Sequence, residues 1–365
     1  TAFFRQGVQA VVSSFYDCIR HMASLYIDRR GVELRLDGQA IAFYENNERT
    51  GTIPIAPLER IFLKGDVRMH SGLLGRLGEN GTGIVLLSGR KSSVNMLMAR
   101  PHNDAARRVT QYFLCRDETF CREFSRCVVE TKLKGQLAFL TELREKKLSA
   151  RYELTYRCRQ MESALESLSG QPDIPAIRGI EGNAAASYFA GLAACLPESL
   201  HFSGRNRRPP RDPLNVVLSL GYTLLHAETV IALYSSGLDP YIGFYHALDF
   251  GRESLACDLV ESSRTDIDRF AVGLFSKGIL RPEDFSSSVG QCMLGKAGRA
   301  RFYPAYEEHT EQIRKKISEN VRDICDVLKS QEKILFPQTR NRQPQQDDTM
   351  QSENMPFRYD GYCQD

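Results

Sequence analysis

The hydrophobic pattern of the chain changes period once. From Leu25 to about residue 100, apolar and polar residues alternate in short runs: LYIDRRGVELRLDG, AIAFYENNERTGTIPI, IFLKGDVRM, GIVLLSG and SVNMLMA. Such runs, broken by Gly, Asn and Asp, predict strands. Six to eight strands are expected there, with one short helix near 71–77. Arg30-Gly31 reads as a hairpin turn, and Asn46-Asn47 and Thr50-Gly51 as further turn material.

From about Asn103 the apolar spacing lengthens to three and four residues, as in AARRVTQYFLCRDETFCREFSRCVVETKLKGQLAFLTELREKK. This predicts helix after helix to about Leu335, with breaks at Gly170-Gln171-Pro172, Arg208-Pro209-Pro210, Asp239-Pro240 and Arg281-Pro282. The expected class is α+β, a small N-terminal β-sheet domain (23–102) followed by a larger all-helical domain (103–336). Residues 1–22 read as a linker or the end of an upstream module, with an amphipathic helix in RQGVQAVVSSFYDCIRHM. Residues 337–365 are too poor in aliphatics to fold alone and read as a disordered tail.

Composition narrows the class without choosing a function. The 365 residues are 42% hydrophobic and 25% charged, which excludes wholly disordered, collagen-like and coiled-coil chains. With 48 Lys plus Arg against 45 Asp plus Glu, the net charge is +3. That argues against a histone-like binder of nucleic acid, while leaving room for local basic surfaces. There is no uncharged apolar run of about 18 residues, and no signal peptide follows Thr1. The start at Thr1 suggests a fragment, a processed chain or one module of a longer polypeptide. Ten cysteines with no C-x-x-C pair read as scattered reduced thiols, and the expected location is cytoplasmic.

Three segments offer chemistry. In GIEGNAAASYFAGLAACL, Glu181 opens a helix of small residues and shares a face with Tyr188; a Glu in a first helical turn is also favoured by the helix dipole alone. In GLDPYIGFYHALDFGRESLACDLVE, His246 stands among Tyr241, Phe244 and Tyr245, where a hydrogen-bonded core role is the plain alternative. Ser254 reads as the N-cap of a helix starting at Leu255, which makes Asp258 and Glu261 neighbours at i and i+3 in apolar company. Crowded carboxylates are relieved by a cation or by solvent. One Glu, one His and an Asp-x-x-Glu pair suit a divalent metal, Mg²⁺ from the carboxylates and Mn²⁺ more strongly once imidazole joins.

DPYIGFYHALDFGRESLACDLVE and EGNAAASYF closely resemble the signature segments of the CRISPR-associated integrase, the metal-dependent DNA endonuclease of spacer acquisition. RRPPRDPLNVVLSLGYTLL, TQYFLCRDETFCREFSRCVVETKLKGQLAFL and LYIDRRGVELRLDG with PLERIFLKG resemble its remaining parts, in order, over roughly residues 24–330. The resemblance implies an N-terminal β domain that dimerises and a helical catalytic domain. It implies metal ligands at Glu181, His246 and Glu261, where the family often carries Asp, and a further acidic position at Asp258, as ligand or orienter. It implies as partners double-stranded DNA (protospacer and CRISPR repeat), a second copy of the chain and a second small adaptation protein. An upstream extension is also similar to family members fused to a reverse transcriptase.

The implied reaction is attack of a DNA 3′-hydroxyl on a phosphodiester at the edge of a repeat, with Mn²⁺ or Mg²⁺ as cofactor. Tyr188 is a candidate support for the phosphate, with packing as its alternative role. Candidate DNA contacts are Arg205, Arg207, Arg208 and Arg211 in GRNRRPPR, with Arg252, Lys132 and Lys134. The competing readings are a structure-selective repair nuclease with the same metal site but water as nucleophile, and a non-catalytic DNA-binding scaffold.

Overall fold

The computed structural model describes residues 24–87, 94–98, 102, 104–206, 209–288 and 290–335. The upstream helix expected in residues 1–22 and the tail expected after 336 lie outside the described residues. The N-terminal part holds two four-stranded sheets. One has the order β1 (Ser24–Ile27), β5 (Arg60–Leu63), β7 (Gly83–Leu87), β8 (Val94–Leu97). The other has the order β4 (Glu48–Pro54), β3 (Ala40–Glu45), β2 (Val32–Asp37), β6 (Val67–Met69). Helix α1 (Ser71–Glu79) lies between β6 and β7 in sequence.

Two turn expectations change. At Arg30-Gly31 the chain does not fold back on β1; it moves to the second sheet, since β1 pairs with β5 while β2 pairs with β3 and β6. Gly31 takes φ +76°, and its amide donates to Asp66 O at 3.0 Å. Thr50-Gly51 lies inside β4 rather than in a turn. There the register steps from Phe43 opposite Gly51 to Tyr44 opposite Arg49, so Thr50 is the extra residue of a bulge. Asn46-Asn47 is a turn, with both residues at positive φ.

The parallel strands β1, β5 and β7 serve two cores at once. Their alternate residues Leu25, Ile27, Ile61, Leu63 and Ile84 close the small core with Leu34, Ile41, Leu73 and Leu77. The intervening Tyr26, Phe62 and Val85 pack into the helical core. Tyr26 stacks on Phe62 (4.8 Å) and on Tyr303 (4.7 Å). Beneath this stack Glu228 pairs with Arg60 (3.1 Å) and Arg314 (2.6 Å), Arg314 also holds Glu307 (2.7 Å), and the Tyr26 hydroxyl donates to Glu307.

The helices are α2 (Ala105–Leu114), α3 (Glu118–Lys146), α4 (Arg151–Leu168), α5 (Ile174–Cys195), α6 (Pro213–Ser235), α7 (Ser254–Glu261), α8 (Arg264–Ser276) and α9 (Lys296–Leu335). Asp104, Asp117, Asp173 and Asp212 cap α2, α3, α5 and α6 by accepting the amide three residues on. Helix α6 is long and apolar enough to cross a membrane, but most of it is buried inside the fold. An antiparallel hairpin, β9 (Phe285–Ser288) and β10 (Gln291–Leu294), interrupts the expected run of helices. Gly290 turns there at φ +74°, and the FSSS strand has no apolar period to announce it. The eight described cysteines are free thiols.

Candidate active site

Helices α3, α5 and α7 each bring one charged side chain to a common point. The buried stripe of α3 runs through Val128, Val129, Lys132, Leu133 and Gln136, so the stem of Lys132 is carried inward with its apolar neighbours. Helix α5 starts at the Asp173 cap, well before Glu181, which therefore sits in the third turn. Dipole stabilisation in a first turn does not account for it. Glu261 is the last residue of α7 and its side chain is 5% exposed.

The Lys132 ammonium bonds Glu181 Oε1 and stands 2.6 Å from Glu261 Oε2. That Oε2 is buried and takes no well-directed hydrogen bond. Glu261 Oε1 is 2.8 Å from Arg264 Nε, and the Arg264 guanidinium stacks over Tyr222 at 4.8 Å. Burial alone would raise the Glu261 carboxyl; Arg264 and Lys132 outweigh it and hold the group down at about 2. The Tyr245 hydroxyl donates to Glu181, and burial followed by that carboxylate pushes the phenol far up.

His246 precedes α7 in an irregular loop. Its Nδ1 is 2.7 Å from Asp258 Oδ1, which also accepts the His246 amide at 2.9 Å. Asp258 Oδ2 accepts the amides of Phe244 (2.7 Å) and Tyr245 (3.0 Å). Asp258 is wholly buried, and the loop packs so closely that a Cβ on Gly243 would lie 2.7 Å from Asp258 Oδ2. Ser254 does not cap α7 through its side chain; its hydroxyl donates to Ala247 O and ties the same loop down.

With Nδ1 committed to Asp258, His246 has Nε2 left to bind a metal, the carboxylate–histidine arrangement common at such centres. Two carboxylates converging on one cation, an under-satisfied buried Oε2 and an oriented imidazole fit a divalent ion. The ammonium now fills the gap. Among the described residues no three His, Cys, Asp or Glu side chains stand together as a finished ligand set.

The other candidates separate. Lys132 belongs to the acidic centre and is buried against Glu181 and Glu261, not displayed on the outer face of α3. Lys134 is exposed and pairs with Glu130 at 2.5 Å. Tyr188 is fully buried and donates to Asp268 at 2.8 Å, beside Tyr222 on the same carboxylate, which takes it away from any surface phosphate. Arg205 is turned inward onto Asn215 (2.8 Å) and Ser219 (3.0 Å). Arg211 and Arg252 are exposed, and Arg207 and Arg208 lie outside the described residues.

Sequence reasoning missed Lys132 as the counter-ion, Tyr245, Arg264 and a basic recess. An open cavity of about 480 Å³ beside His246 is lined by Arg116, Arg122 and Arg178 against Glu118 and Asp173. Arg178 bonds Tyr245 O and lies over its ring. The available signal was a lysine in phase with the buried stripe of α3, which needs a buried acid to pair with.

The family model described as CRISPR associated protein Cas1 matches residues 25–308. A CRISPR-associated endonuclease Cas1 of Thermodesulfovibrio yellowstonii is 38% identical over 296 residues, 80% of this chain and 93% of that protein. A casposase bound to integration product superposes with a TM-score of 0.71 at 20% identity, over 85% of this chain and 91% of its own. A chain of a Cas6-RT-Cas1–Cas2 complex gives 0.74 at 23% identity, over 85% of this chain and 35% of that longer one. At those identities the two structures show a shared fold. Taken with the family match and the Thermodesulfovibrio relative, the acidic centre on α3, α5 and α7 belongs to a chain of the CRISPR associated protein Cas1 family.

Proposed function

We propose that the chain is the integrase of CRISPR spacer acquisition, an enzyme that joins the 3′ end of an incoming DNA to a repeat and can also cleave DNA. The observation that carries this reading is the meeting of Glu181 and Glu261 on one cation, with His246 oriented by Asp258. In the reaction a new bond forms between the attacking 3′ oxygen and phosphorus, and the bond from phosphorus to the repeat's own 3′ oxygen breaks. The attacking hydroxyl loses a proton and the departing oxygen gains one. Bond types are conserved, so no nucleotide needs to be spent.

Glu181, Glu261 and His246 Nε2 would hold Mg²⁺ or Mn²⁺. When bound, such an ion supplies Lewis-acid charge that makes the hydroxyl more acidic and offsets charge on the phosphate. Asp258, with its oxygens engaged by three amides and the imidazole, orients His246 and does not itself take the substrate proton. Arg264 keeps Glu261 ionised. Arg116, Arg122 and Arg178 around the recess, with Arg252 and Arg211 outside it, would grip phosphates, a mode tolerant of sequence and sensitive to salt.

As partners we propose double-stranded DNA of protospacer and repeat, a second copy of the chain through the β-sheet part, and a Cas2-like small protein. A reverse transcriptase joined upstream or associated with the chain is in keeping with the fold shared with the Cas6-RT-Cas1–Cas2 chain. The test is product analysis with a repeat-bearing plasmid and 3′-hydroxyl duplexes in Mn²⁺ and in Mg²⁺. Joined strands that disappear with Glu181→Ala and His246→Ala support the reading. Hydrolysed ends alone point to a nuclease, and wild-type joining by both variants sinks the site assignment.

A further inference from the structure

We infer that Lys132 is a built-in counter-cation of the metal site, displaced when the ion enters and then available to the substrate phosphate; this rests on the metal reading above. The side chain is 10% exposed and reaches from α3 to acids on two other helices, Glu181 on α5 and Glu261 on α7. A buried ammonium needs paired acids, and two buried acids facing each other need a cation. Without metal, the ammonium offsets the charge of both carboxylates and holds α3, α5 and α7 together at one point, while Glu261 Oε2 lacks a well-directed hydrogen bond.

The charge count shows why the ammonium must yield and why it stays useful. Glu181, Asp258 and Glu261 face Lys132 and Arg264, which leaves one net negative charge with a neutral imidazole. A divalent ion between the carboxylates turns that into one net positive charge. A phosphodiester carries one negative charge and brings the site to neutrality. The ammonium cannot share the gap with a divalent ion, because Nζ already sits 2.6 Å from Glu261 Oε2 and bonds Glu181. Its flexible four-carbon stem lets the head move aside while staying at the rim. Arg264 cannot substitute, since it holds the other oxygen of Glu261 and is fixed against Tyr222.

The inference predicts a combination that a purely structural lysine would not give: tighter metal binding together with slower strand transfer. The experiment uses the full chain as wild type, Lys132→Met, Lys132→Gln, Lys146→Met and Glu181→Gln. Mn²⁺ affinity is measured by calorimetry, melting is followed with and without Mn²⁺, and joining is assayed at saturating Mn²⁺. Lys132→Met is expected to bind Mn²⁺ about tenfold more tightly, the scale of one nearby unit charge. It should melt below wild type without metal, regain that loss when Mn²⁺ is added, and join DNA at least about tenfold more slowly. Lys132→Gln should follow the same order and covers the case in which Lys132→Met does not fold. Lys146→Met, altering an exposed lysine at the end of the same helix, should match wild type. If wild type binds Mn²⁺ and Glu181→Gln weakens it, while both Lys132 variants bind no more tightly than wild type, the inference is overturned and the metal reading survives. Wild type that takes up no Mn²⁺, or takes it up equally after Glu181→Gln, overturns the metal reading and this inference with it.

Discussion

His246 Nδ1 lies 2.7 Å from Asp258 Oδ1, and the carboxylate that orients the ring also ties down the amides of residues 244, 245 and 246. One buried side chain thus sets both the direction of the imidazole and the path of the loop that carries it.

Asp258→Asn keeps the volume but turns one acceptor oxygen into a donor facing N–H groups. The substitution is expected to cost about 1–3 kcal/mol of stability and to weaken Mn²⁺ binding about 10- to 100-fold. Urea unfolding and a Mn²⁺ titration check the two numbers separately. Unchanged metal affinity would remove the orienting role.

Arg264 is buried between Glu261 and Tyr222. Arg264→Met leaves Glu261 to share one remaining cation and is expected to destabilise the chain by about 3–5 kcal/mol. Arg264→Lys retains charge without the flat ring contact and should fall between wild type and Arg264→Met. A denaturant series on the three proteins tests this order.

The Asp268 carboxyl is pushed up to about 6 by burial, in spite of the hydroxyls of Tyr222 and Tyr188 that favour its charged form. The native state therefore holds this proton more tightly than the unfolded chain, whose Asp titrates near about 3.9. Its contribution is complete below that lower value and fades as pH rises through about 6. The stability gap between wild type and Asp268→Asn should narrow between pH ~4.5 and pH ~7. An unchanged gap, measured by urea unfolding at both values, would refute this titration.

Glu228 joins Arg60 on β5 to Arg314 on α9. Glu228→Ala leaves Arg60 with Glu59 and Arg314 with Glu307 as their remaining acids and should cost about 1–3 kcal/mol. Amide hydrogen exchange is expected to report the loss in β1 and β5 as well as along α9. Protection lost in α9 alone would mean that the pairing does not couple the two parts.

Much of this architecture was legible because its strands are short and half-buried. Val32, Leu34 and Leu36 alternate with Glu33, Arg35 and Asp37 and announce a period of two. Legibility fails where the physical cause is non-local. Thr50-Gly51 has turn chemistry, yet pairing with β3 absorbs it as a bulge. Phe285–Ser288 becomes a strand because β10 pairs with it, without an apolar pattern of its own. At the site, Glu181, His246, Asp258 and Glu261 stood out through the resemblance of their segments to the CRISPR-associated integrase; type and spacing alone did not bring three segments so far apart together. Lys132 did not stand out, because its role depends on two helices that come 49 and 129 positions later; the first separation is that of its Glu181 bond, and the second follows from the residue numbers. Arg205 looked like a phosphate contact until Asn215 and Ser219 took its donors.

The alternation of β1, β5 and β7 between two cores has a consequence for how the chain can be cut. These strands act as a party wall, apolar on both sides, with Tyr26, Phe62 and Val85 on one side and Ile27, Ile61 and Ile84 on the other. Excising the N-terminal part would turn the inner side into an outer one and create a sticky surface. Domain exchange between relatives would therefore succeed only when the aromatic side of the wall travels with α6 and α9.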